Sequence, residues 1–497
     1  MSLEHSIEIT NIGPINNAKI SLDGLSIIVG SNKSGKSTIT LILFVLRNTI
    51  LKFFDYLFND KLIKAYYKDI SEKIIDYANS LVDIRNLYEH GKTLNDEQLR
   101  ELESYLDELR WIIENEFINL QNQNKLAKIF VGEIKDAFQD EIYNIMKMGE
   151  TQANISFQNC RLSLQLSMKL EENRKYVKIS IEKFETKKIS ISNKLKFKSD
   201  ITKPSLNITE TKQELILKEF NIDDVPYVSN HIRSNLKALT TFLGENDMIY
   251  LPPGRSLVIQ NFTFFNAIGL NRFSSKQLPS PLLEFLYRLN QSLSEKKLNK
   301  TSTRPDHANY FEQILLEGTL ETSHQFLQDQ IVFREGRLKT PIERSAAMIQ
   351  DLAAIPLILF NKRINDLVIE EPEAHLHPKA QLKFASWLTR YINYKVKNGE
   401  PTNILVTTHS PNIIRQIQNF ISGHKIGKPV IESELFDNKE IISPKFINLY
   451  NMKATLNGYS SEFVKTELKG FEKEVFGDVT DILYQQYKKI TKLRTQR

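Results

Sequence analysis

The sequence contains very little cysteine, since Cys160 is the only one among 497 residues. A disulfide framework within the chain is therefore excluded, and the composition favours a reducing compartment. A long apolar run is also missing: the longest stretch, 39–54, is interrupted by Arg47, Asn48 and Lys52 and predicts a buried helix. The first nine residues carry two glutamates and no basic segment, so no secretory or transit peptide is visible. We therefore expect a cytoplasmic protein with no membrane partner.

Neither sign of charge dominates, because 66 lysines and arginines stand against 60 aspartates and glutamates and leave a net charge of +6. The excess is uneven: residues 169–203 contain 11 basic and 5 acidic side chains, and residues 488–497 form a second basic cluster. Both segments predict either contact with a polyanion such as DNA or a solvated lysine-rich surface. No DNA- or RNA-binding motif accompanies them. With 41% hydrophobic residues, the chain is long enough for roughly two to four globular domains.

The most specific pattern lies where an apolar run ends at a glycine and a helical sequence begins. Gly30, four further residues, Gly35, Lys36 and Ser37 make a P-loop, in which backbone N–H groups surround phosphate oxygens at the positive end of a helix. We expect Lys36 to reach the β- and γ-phosphates and the Ser37 hydroxyl to be a ligand of Mg²⁺. The alternative is a glycine-rich turn without a ligand. The predicted nucleotide-binding residues are Gly30, Ser31, Asn32, Lys33, Ser34, Gly35, Lys36, Ser37 and Thr38.

Two more predicted strands end in polar groups. Residues 367–369 predict a buried strand that delivers Glu370 and Glu371 at its carboxyl end, where ligands bind in parallel α/β sheets. Glu370 is expected to organise Mg²⁺, and Glu371 to orient the water that attacks the γ-phosphate. Residues 404–408 predict a third strand, which ends at His409, a residue that can contact the γ-phosphate.

The remaining chain divides into segments by its periodicity. Residues 51–150 have a helical pattern and predict an inserted arm or lobe, whereas residues 151–245 alternate apolar and basic positions and predict a β-rich segment. Residues 451–497 predict a helical tail. The nucleotide-binding head is then assembled from residues 1–50 and 246–450.

Together, the P-loop, the Glu-Glu-Pro-Glu-Ala-His-Leu-His-Pro segment and the Thr-Thr-His-Ser-Pro strand end resemble ABC-type ATPases. The resemblance is to the SMC, RecF and overcoming-lysogenization-defect (OLD) group, whose stand-alone members are described as AAA15-type ATPases. It covers residues 1–50 and 245–450. It implies an α/β fold: an ABC-type P-loop ATPase head with a mixed central sheet, an antiparallel β subdomain and a helical insertion.

The resemblance also implies roles for residues and an assembly. It makes the protein an ATPase in which Lys36, Glu371 and His409 are catalytic, with Glu371 as the catalytic glutamate and His409 as the switch histidine. Ser37 and Glu370 would hold Mg²⁺ beside ATP, although many relatives have aspartate in place of Glu370. Such ATPases sandwich two nucleotides between two heads, so we expect a homodimer through the heads. A higher oligomer is also compatible with this resemblance.

The chain departs from this family at the signature loop, which each head gives to its partner's ATP. The corresponding residues are Ser345, Ala346 and Ala347, and the usual glycine is replaced by alanine or methionine, depending on alignment. Close backbone approach is then limited, so hydrolysis is expected to be slow or to need another factor. Arg255, which follows a predicted strand, is a candidate either for a phosphate or interdomain contact or for a structural salt bridge.

Three functions fit these features. OLD relatives carry a fused Toprim nuclease, but only 88 residues follow His409 and they contain no Asp-x-Asp pair, so we expect no nuclease in this chain. The chain resembles stand-alone ATPase subunits of bacterial antiphage systems such as PARIS and Septu, which predicts a sensor or scaffold that controls a separate effector such as a nuclease. The alternative is an SMC- or RecF-like ATPase of DNA repair or chromosome maintenance that binds DNA through residues 169–203. A third is a nucleotide-bound scaffold that hardly hydrolyses.

Overall fold

A computed structural model gives the fold of most of the chain. It describes residues 5–59, 120–158, 162–170, 177–186, 190–191, 208–211, 214–217, 248–268, 273, 277–298, 306–325, 328–358, 366–399, 403–427, 430 and 432–464. The middle of the predicted helical insertion, most of the basic segment 169–203 and residues 465–497, with the basic cluster at 488–497, lie outside the described residues. The helical prediction for residues 451–497 is wrong for the described part, 451–464, because Gly458–Val464 pairs antiparallel with the strand Ile447–Thr455.

The described strands and helices follow one another in chain order. The strands are β1 (Ser6–Ile12), β2 (Ile15–Ser21), β3 (Gly24–Gly30), β4 (Gln152–Gln158), β5 (Leu162–Leu170), β6 (Val177–Thr186), β7 (Ser190–Ile191), β8 (Ile208–Thr211), β9 (Glu214–Leu217), β10 (Met248–Leu251), β11 (Thr319–Gln325), β12 (Gln328–Glu335), β13 (Leu338–Pro341), β14 (Asp366–Glu370), β15 (Asn403–Thr408), β16 (Ile447–Thr455) and β17 (Gly458–Val464). The α-helices are α1 (Lys36–Asn59), α2 (Leu120–Phe138), α3 (Ile142–Ile145), α4 (Arg255–Gln260), α5 (Phe262–Ile268), α6 (Ser280–Leu298), α7 (Asp306–Tyr310), α8 (Ala347–Ile358), α9 (Pro378–Lys397) and α10 (Pro411–Ile426). A π-helix spans Phe311–Leu316, and 3-10 turns span Ile342–Arg344 and Pro444–Phe446.

The chain divides into two compact units. The first unit comprises Met1–Phe44, Ile134–Ala153 and Asn246–Arg497, and the second comprises Val45–Glu133 and Asn154–Glu245. The first unit takes in residues 134–153, of which 134–150 are predicted to belong to the insertion, and backbone hydrogen bonds join this segment to the end of β1 and the turn after it. In two of them, the N–H of Gly13 donates to the Ile145 carbonyl at 2.6 Å and the N–H of Lys147 to the Asn11 carbonyl at 3.0 Å.

The first unit is built on a mixed sheet. Its strands follow the order β10-β14-β15-β3-β16-β17-β2-β1, and β10, β14, β15, β3 and β16 are parallel to their neighbours in this run. The pairs β16 with β17 and β1 with β2 are antiparallel, whereas β17 runs parallel to β2. The carboxyl ends of the parallel strands therefore meet at one edge of the sheet, which is where ligands bind in such folds.

The central strands consist of apolar runs because both of their faces are covered by other elements. Every residue of β10, β14 and β15 is buried, and so are residues 25–29 of β3. Phe384, Trp387 and Leu388 of α9 join the same hydrophobic core, as do Ile414 and Ile417 of α10. Strands β11, β12 and β13 form a separate antiparallel sheet in this unit. The predicted α/β class with a mixed central sheet and an antiparallel β part is confirmed.

The second unit contains strands with the period-two pattern that the sequence predicts. Strands β5 and β6 pair antiparallel, and Leu164, Leu166 and Met168 are buried on β5. Lys169 of β5 lies opposite Lys178 of β6, and both side chains are exposed. Strands β7, β9 and β8 form a further small sheet of this unit. Within the described residues of the whole chain, no helix combines the length and the apolar character that crossing a membrane requires.

Candidate active site

The predicted P-loop connects β3 to α1. Gly30 and Gly35 have φ values of 153° and 93°, which side chains other than that of glycine rarely adopt. A Cβ atom on Gly35 would lie 2.6 Å from Cγ1 of Ile15, and one on Gly30 would lie 2.8 Å from Cβ of Met452. The loop therefore packs against β2 and β16 so closely that only glycine fits at these two positions.

Lys36, the first residue of α1, is held inside this loop. Its side chain is buried, and Nζ donates to the carbonyl oxygens of Gly30 at 3.1 Å and Ser31 at 3.0 Å. Burial lowers the pKa of Lys36, while the carboxylates of Glu371, Glu373 and Glu370 raise it. The ammonium group and the carboxylates after β14 thus share one site, as the sequence predicts, although they lie more than 300 residues apart in the chain.

Glu370 ends β14 and is completely buried. Its Oε1 accepts hydrogen bonds from Oγ1 of Thr40, at 2.5 Å, and from the hydroxyl of Tyr250. Burial raises the pKa of Glu370, and the nearby hydroxyls, that of Ser37 included, lower it. The other oxygen, Oε2, is buried without a hydrogen bond of normal geometry to any described residue. A spare carboxylate oxygen beside the Ser37 hydroxyl fits the oxygen-ligand chemistry of Mg²⁺.

Glu371 leaves the sheet and turns its side chain outward. Its φ of 43° lies in the left-handed region, and its N–H donates to the carbonyl of Thr407 at 2.9 Å. The side chain is 40% exposed, and Oε1 lies 3.6 Å from Nε2 of His409. Burial and the positive charge of Lys36 lower the pKa of His409, so the neutral imidazole is favoured there. The two predicted catalytic side chains are therefore neighbours at the mouth of the site.

A third carboxylate, which the sequence interpretation did not select, supports this arrangement. Oε1 of Glu373 accepts a hydrogen bond from the N–H of His409 at 2.5 Å. On the other side, the hydroxyl of Ser410 accepts from the N–H of Ile413 at 3.1 Å, as an N-cap of α10, and donates to Oε1 of Gln381 at 2.7 Å. The Ser-Pro helix start signalled the cap, whereas Tyr250, Thr40 and Gln381 left no signal in the sequence.

Of the two roles that the sequence left open for Arg255, the structural one fits its place, although the guanidinium donates to backbone carbonyls and not to a carboxylate. Its side chain is 1% exposed and lies within the first unit. Nε donates to the carbonyl of Asp351 at 2.9 Å, and Nη1 donates to the carbonyls of Glu370 at 2.8 Å and Pro252 at 3.3 Å. A longer contact of 3.4 Å joins Nη2 to the carbonyl of Glu371. With its N–H groups directed at the backbone, Arg255 is a structural residue beside the site.

The signature-like residues Ser345, Ala346 and Ala347 lie at the start of α8. The Ser345 hydroxyl donates to the Pro341 carbonyl at 3.3 Å, and both alanines are exposed. Nε2 of Gln350 donates to the carbonyls of three loop residues, Ile342, Glu343 and Ser345. Among the described residues, no hydrogen bond joins this loop to the P-loop of the same chain. The structure thus brings together the other predicted site residues but leaves this loop apart, on the surface.

A P-loop after β3, two carboxylates at the tip of β14 and a histidine at the tip of β15, the parallel strand between them, define a P-loop ATPase. Residues 1–414 match the model of the AAA ATPase domain family (AAA15). This match covers most of the chain, so the protein belongs to that family and is an ATPase. No curated protein sequence matches the chain.

Three solved structures similar to the chain are SMC heads. The Smc head with an extended coiled coil bound to the C-terminal domain of ScpA, from Pyrococcus furiosus, is 12% identical, with a TM-score of 0.38 and coverage of 97% of this chain and 98% of that chain. The SmcHead bound to the C-winged helix domain of ScpA is 8% identical, with a TM-score of 0.37 and coverage of 93% and 97%. The SMC head domain from Thermotoga maritima is 9% identical, with a TM-score of 0.35 and coverage of 92% and 98%.

Proposed function

We propose that this ATPase binds ATP with Mg²⁺ at the P-loop and hydrolyses it slowly, as a switch. The observation that carries the proposal is that Lys36 Nζ is held in the P-loop, at the edge of the sheet where Glu371 Oε1 lies 3.6 Å from Nε2 of His409. An ammonium group for the phosphates, a carboxylate for water and a neutral imidazole meet in one place. This set is what phosphoryl transfer to water requires, because catalysis there consists of positioning and charge stabilisation.

Each side chain has a definite task in this proposal. Lys36 binds the β- and γ-phosphates, and the half-exposed Glu371 orients and activates the attacking water. Ser37 and Glu370 would hold Mg²⁺, whose charge would offset that of the phosphate oxygens. His409 stays neutral, so its Nε2 can hydrogen bond to the γ-phosphate or the water without a strong pull on Glu371.

We propose further that two heads pair around the nucleotides and that each supplies Ser345, Ala346 and Ala347 to the other. The exposure of this loop, and its separation from its own P-loop within the described residues, support a role in trans. The N-terminus of α8 would then point at the partner's γ-phosphate. Alanine at this place keeps the backbone farther from phosphate than glycine does, which supports slow hydrolysis and long-lived pairs. Larger oligomers built from such pairs are compatible with this arrangement of the heads.

The biological role that we propose is control of a separate effector, such as a nuclease, in bacterial antiphage defence. Its support is the resemblance of the three motifs to stand-alone ATPase subunits of such systems, together with the alanines of the signature-like loop, which favour the slow turnover that suits a sensor. The identity of genes next to this one tests it directly. A neighbouring nuclease-like reading frame whose product co-purifies with the ATPase is the expected result. A neighbouring recombination gene, with no effector retained, would contradict this role.

The enzymatic proposal is tested by ATP turnover and by mass. Wild type, Lys36→Ala and Glu371→Gln are compared with Mg²⁺ and ATP, and light scattering gives the mass of each with and without nucleotide. We expect turnover in the wild type alone, and an ATP-dependent doubling of mass that is most persistent for Glu371→Gln. The proposal would be contradicted if both variants kept wild-type turnover, or if the mass never responded to ATP.

The second candidate is direct DNA binding, which one observation favours: exposed Lys169 and Lys178 lie side by side on β5 and β6. If this pair contacts phosphates, the double change Lys169→Glu and Lys178→Glu should weaken duplex binding. It should also reduce the slope of log affinity against log salt by up to about 0.9 per lost contact. The matched control reverses the charge of two exposed lysines of the first unit, Lys19 and Lys453, by changing both to glutamate. It should leave that slope unchanged.

A further inference from the structure

The buried Arg255 has no part in the proposed chemistry and yet touches the backbone of both site carboxylates. It is the first residue of α4, after Gly254, whose φ of 78° makes the turn from β10. The guanidinium lies between α8 on one side and the tip of β14 on the other. Burial lowers the pKa of Arg255, and Asp351 is the largest of the negative charges that oppose this effect.

The hydrogen bonds of Arg255 join these two elements. Nε donates to the Asp351 carbonyl of α8 at 2.9 Å, and Nη1 donates to the Glu370 carbonyl at 2.8 Å. Nη2 reaches toward the Glu371 carbonyl at 3.4 Å. A planar fork with fixed donor directions can hold two backbone segments in register, which a lysine ammonium group cannot do equally well. The Arg255 side chain therefore fixes the position of the peptide unit between Glu370 and Glu371 relative to α8.

On the α8 side, the residue before Asp351 holds the signature-like loop. Gln350 is buried, and its Nε2 donates to the Ile342, Glu343 and Ser345 carbonyls at 3.0 to 3.1 Å. Its Oε1 accepts from Nε2 of Gln260, the last residue of α4. The loop, α8 and α4 are thus tied together by side-chain bonds, and a force on the loop acts on the backbone that Arg255 binds.

On the β14 side, Glu371 needs such support. Its φ of 43° is uncommon for a residue with a side chain and persists only where neighbouring groups hold it. Its own N–H donates to the Thr407 carbonyl at 2.9 Å, and its carbonyl accepts from the Ala374 N–H at 3.1 Å and from Nη2 of Arg255 at 3.4 Å. A change in the Arg255 fork would rotate the carboxylate that aims the water.

We propose that Arg255 is a positioning residue that couples the signature-like loop to Glu371 of the same head. When a second copy of this chain binds the loop, Arg255 transmits the resulting displacement to the Glu371 backbone. Hydrolysis then starts when a partner docks, although the partner contributes no base. This inference rests on the proposed head pairing and adds to it a route within one head. It explains why Arg255 is directed at carbonyls although a phosphate site lies nearby.

Turnover and binding test the positioning role. Arg255→Lys keeps the charge but loses the fork, and Arg390→Lys is the matched control, because Arg390 bonds to Asp437 and Glu440 away from the site. We expect Arg255→Lys to lower kcat by about 100-fold with the affinity for fluorescent mant-ATP and Mg²⁺ unchanged, and Arg390→Lys to change neither. In a Glu371→Gln background, Arg255→Lys should not lower kcat any further. Equal losses of kcat in both backgrounds, or a parallel loss of mant-ATP affinity, would overturn the proposal.

Hydrogen exchange tests the route without any need for turnover. Gln350→Ala releases the loop and should speed exchange of the backbone N–H of Glu371, whereas in an Arg255→Lys background it should add nothing. Additive effects of the two changes would overturn the route. An inactive wild type in the turnover assay would contradict the enzymatic proposal alone, because this exchange measurement uses the protein without nucleotide. Thermal unfolding of each variant identifies any that fails to fold, and Gln350→Glu then replaces Gln350→Ala.

Discussion

Nε2 of His409 lies 3.6 Å from Oε1 of Glu371, although the two residues follow different strands. The register of the sheet accounts for this contact: β14 and β15 are parallel neighbours in which Glu370 pairs with Thr407. Strand β15 also pairs with β3, where Thr408 lies opposite Val29, so the P-loop begins at the same edge. Three strand tips that are remote in sequence therefore deliver a base, an imidazole and a phosphate-binding loop to one place.

Glu371→Gln should lower ATP turnover by about 10²- to 10⁴-fold, because an amide cannot take a proton from water. ATP affinity should remain, since the phosphate contacts come from the P-loop. Steady-state phosphate release and mant-ATP titration measure the two quantities. The matched control is Glu317→Gln, which changes an exposed glutamate paired with Lys383 and should leave turnover intact. Equal turnover of Glu371→Gln and wild type would refute the assigned base.

The imidazole of His409 should titrate below its usual pKa of 6.5, because burial and the Lys36 charge both disfavour the proton. Lys36→Met should raise this pKa and Glu371→Gln should lower it further, as NMR of labelled histidine would measure. The folded pKa is depressed, so the contribution of His409 to stability is present above pH 6.5 and is lost as the pH falls through the folded pKa. Lys19→Met, a distant control, should leave the titration unchanged; a shift there would argue against a local cause.

Glu370 should make the protein less stable as the pH rises. Burial raises its pKa above the usual 4.5, so the folded state keeps the proton to a higher pH than the unfolded chain does. Its contribution is complete below pH 4.5 and is lost as the pH rises through the folded pKa. Glu370→Gln does not titrate, so its Tm without Mg²⁺ should overtake that of the wild type with rising pH, by about 2 °C or more near pH 8.

A control of opposite sign sharpens this measurement. The hydrogen bond from Lys383 lowers the pKa of the exposed Glu317, so its contribution is present above pH 4.5 and is lost as the pH falls. The Tm difference between Glu317→Gln and wild type should therefore not grow with pH in the way expected for Glu370→Gln. A pH-independent Tm difference for Glu370→Gln would show that the carboxyl group titrates equally in the folded and unfolded chain.

The parts of the site that the sequence predicts are those encoded locally. The P-loop glycines, Lys36 and the carboxylates after an apolar run each carry their function in a short pattern, and parallel strands bring the tips together. Arg255, Tyr250 and Thr40 could not be assigned in this way, because their partners are set by the packing of distant segments. A buried arginine and a phosphate-binding arginine look the same in sequence and differ only in where the carbonyls lie.

The same limit applies to the signature-like loop, whose proposed partner is another copy of the chain. Mixing two inactive variants tests this arrangement, since Lys36→Ala damages the P-loop side of a shared site and Ser345→Arg damages the loop side. A mixed dimer carries one site with both defects and one site with none. If half of the dimers are mixed, turnover should return to at most about a quarter of the wild-type value, and to less to the extent that the intact P-loop also depends, through Arg255, on the Ser345→Arg loop of its own head.

The control mixture combines Lys36→Ala with Glu371→Gln, which both lie on the P-loop side. Each site of that mixed dimer then has one defect, so it should stay inactive although it pairs as well as the first mixture. Recovery in the first mixture and none in the second would place Ser345 across the interface from Lys36. Recovery in neither, with dimers present by light scattering, would mean that each head needs its own intact loop for turnover.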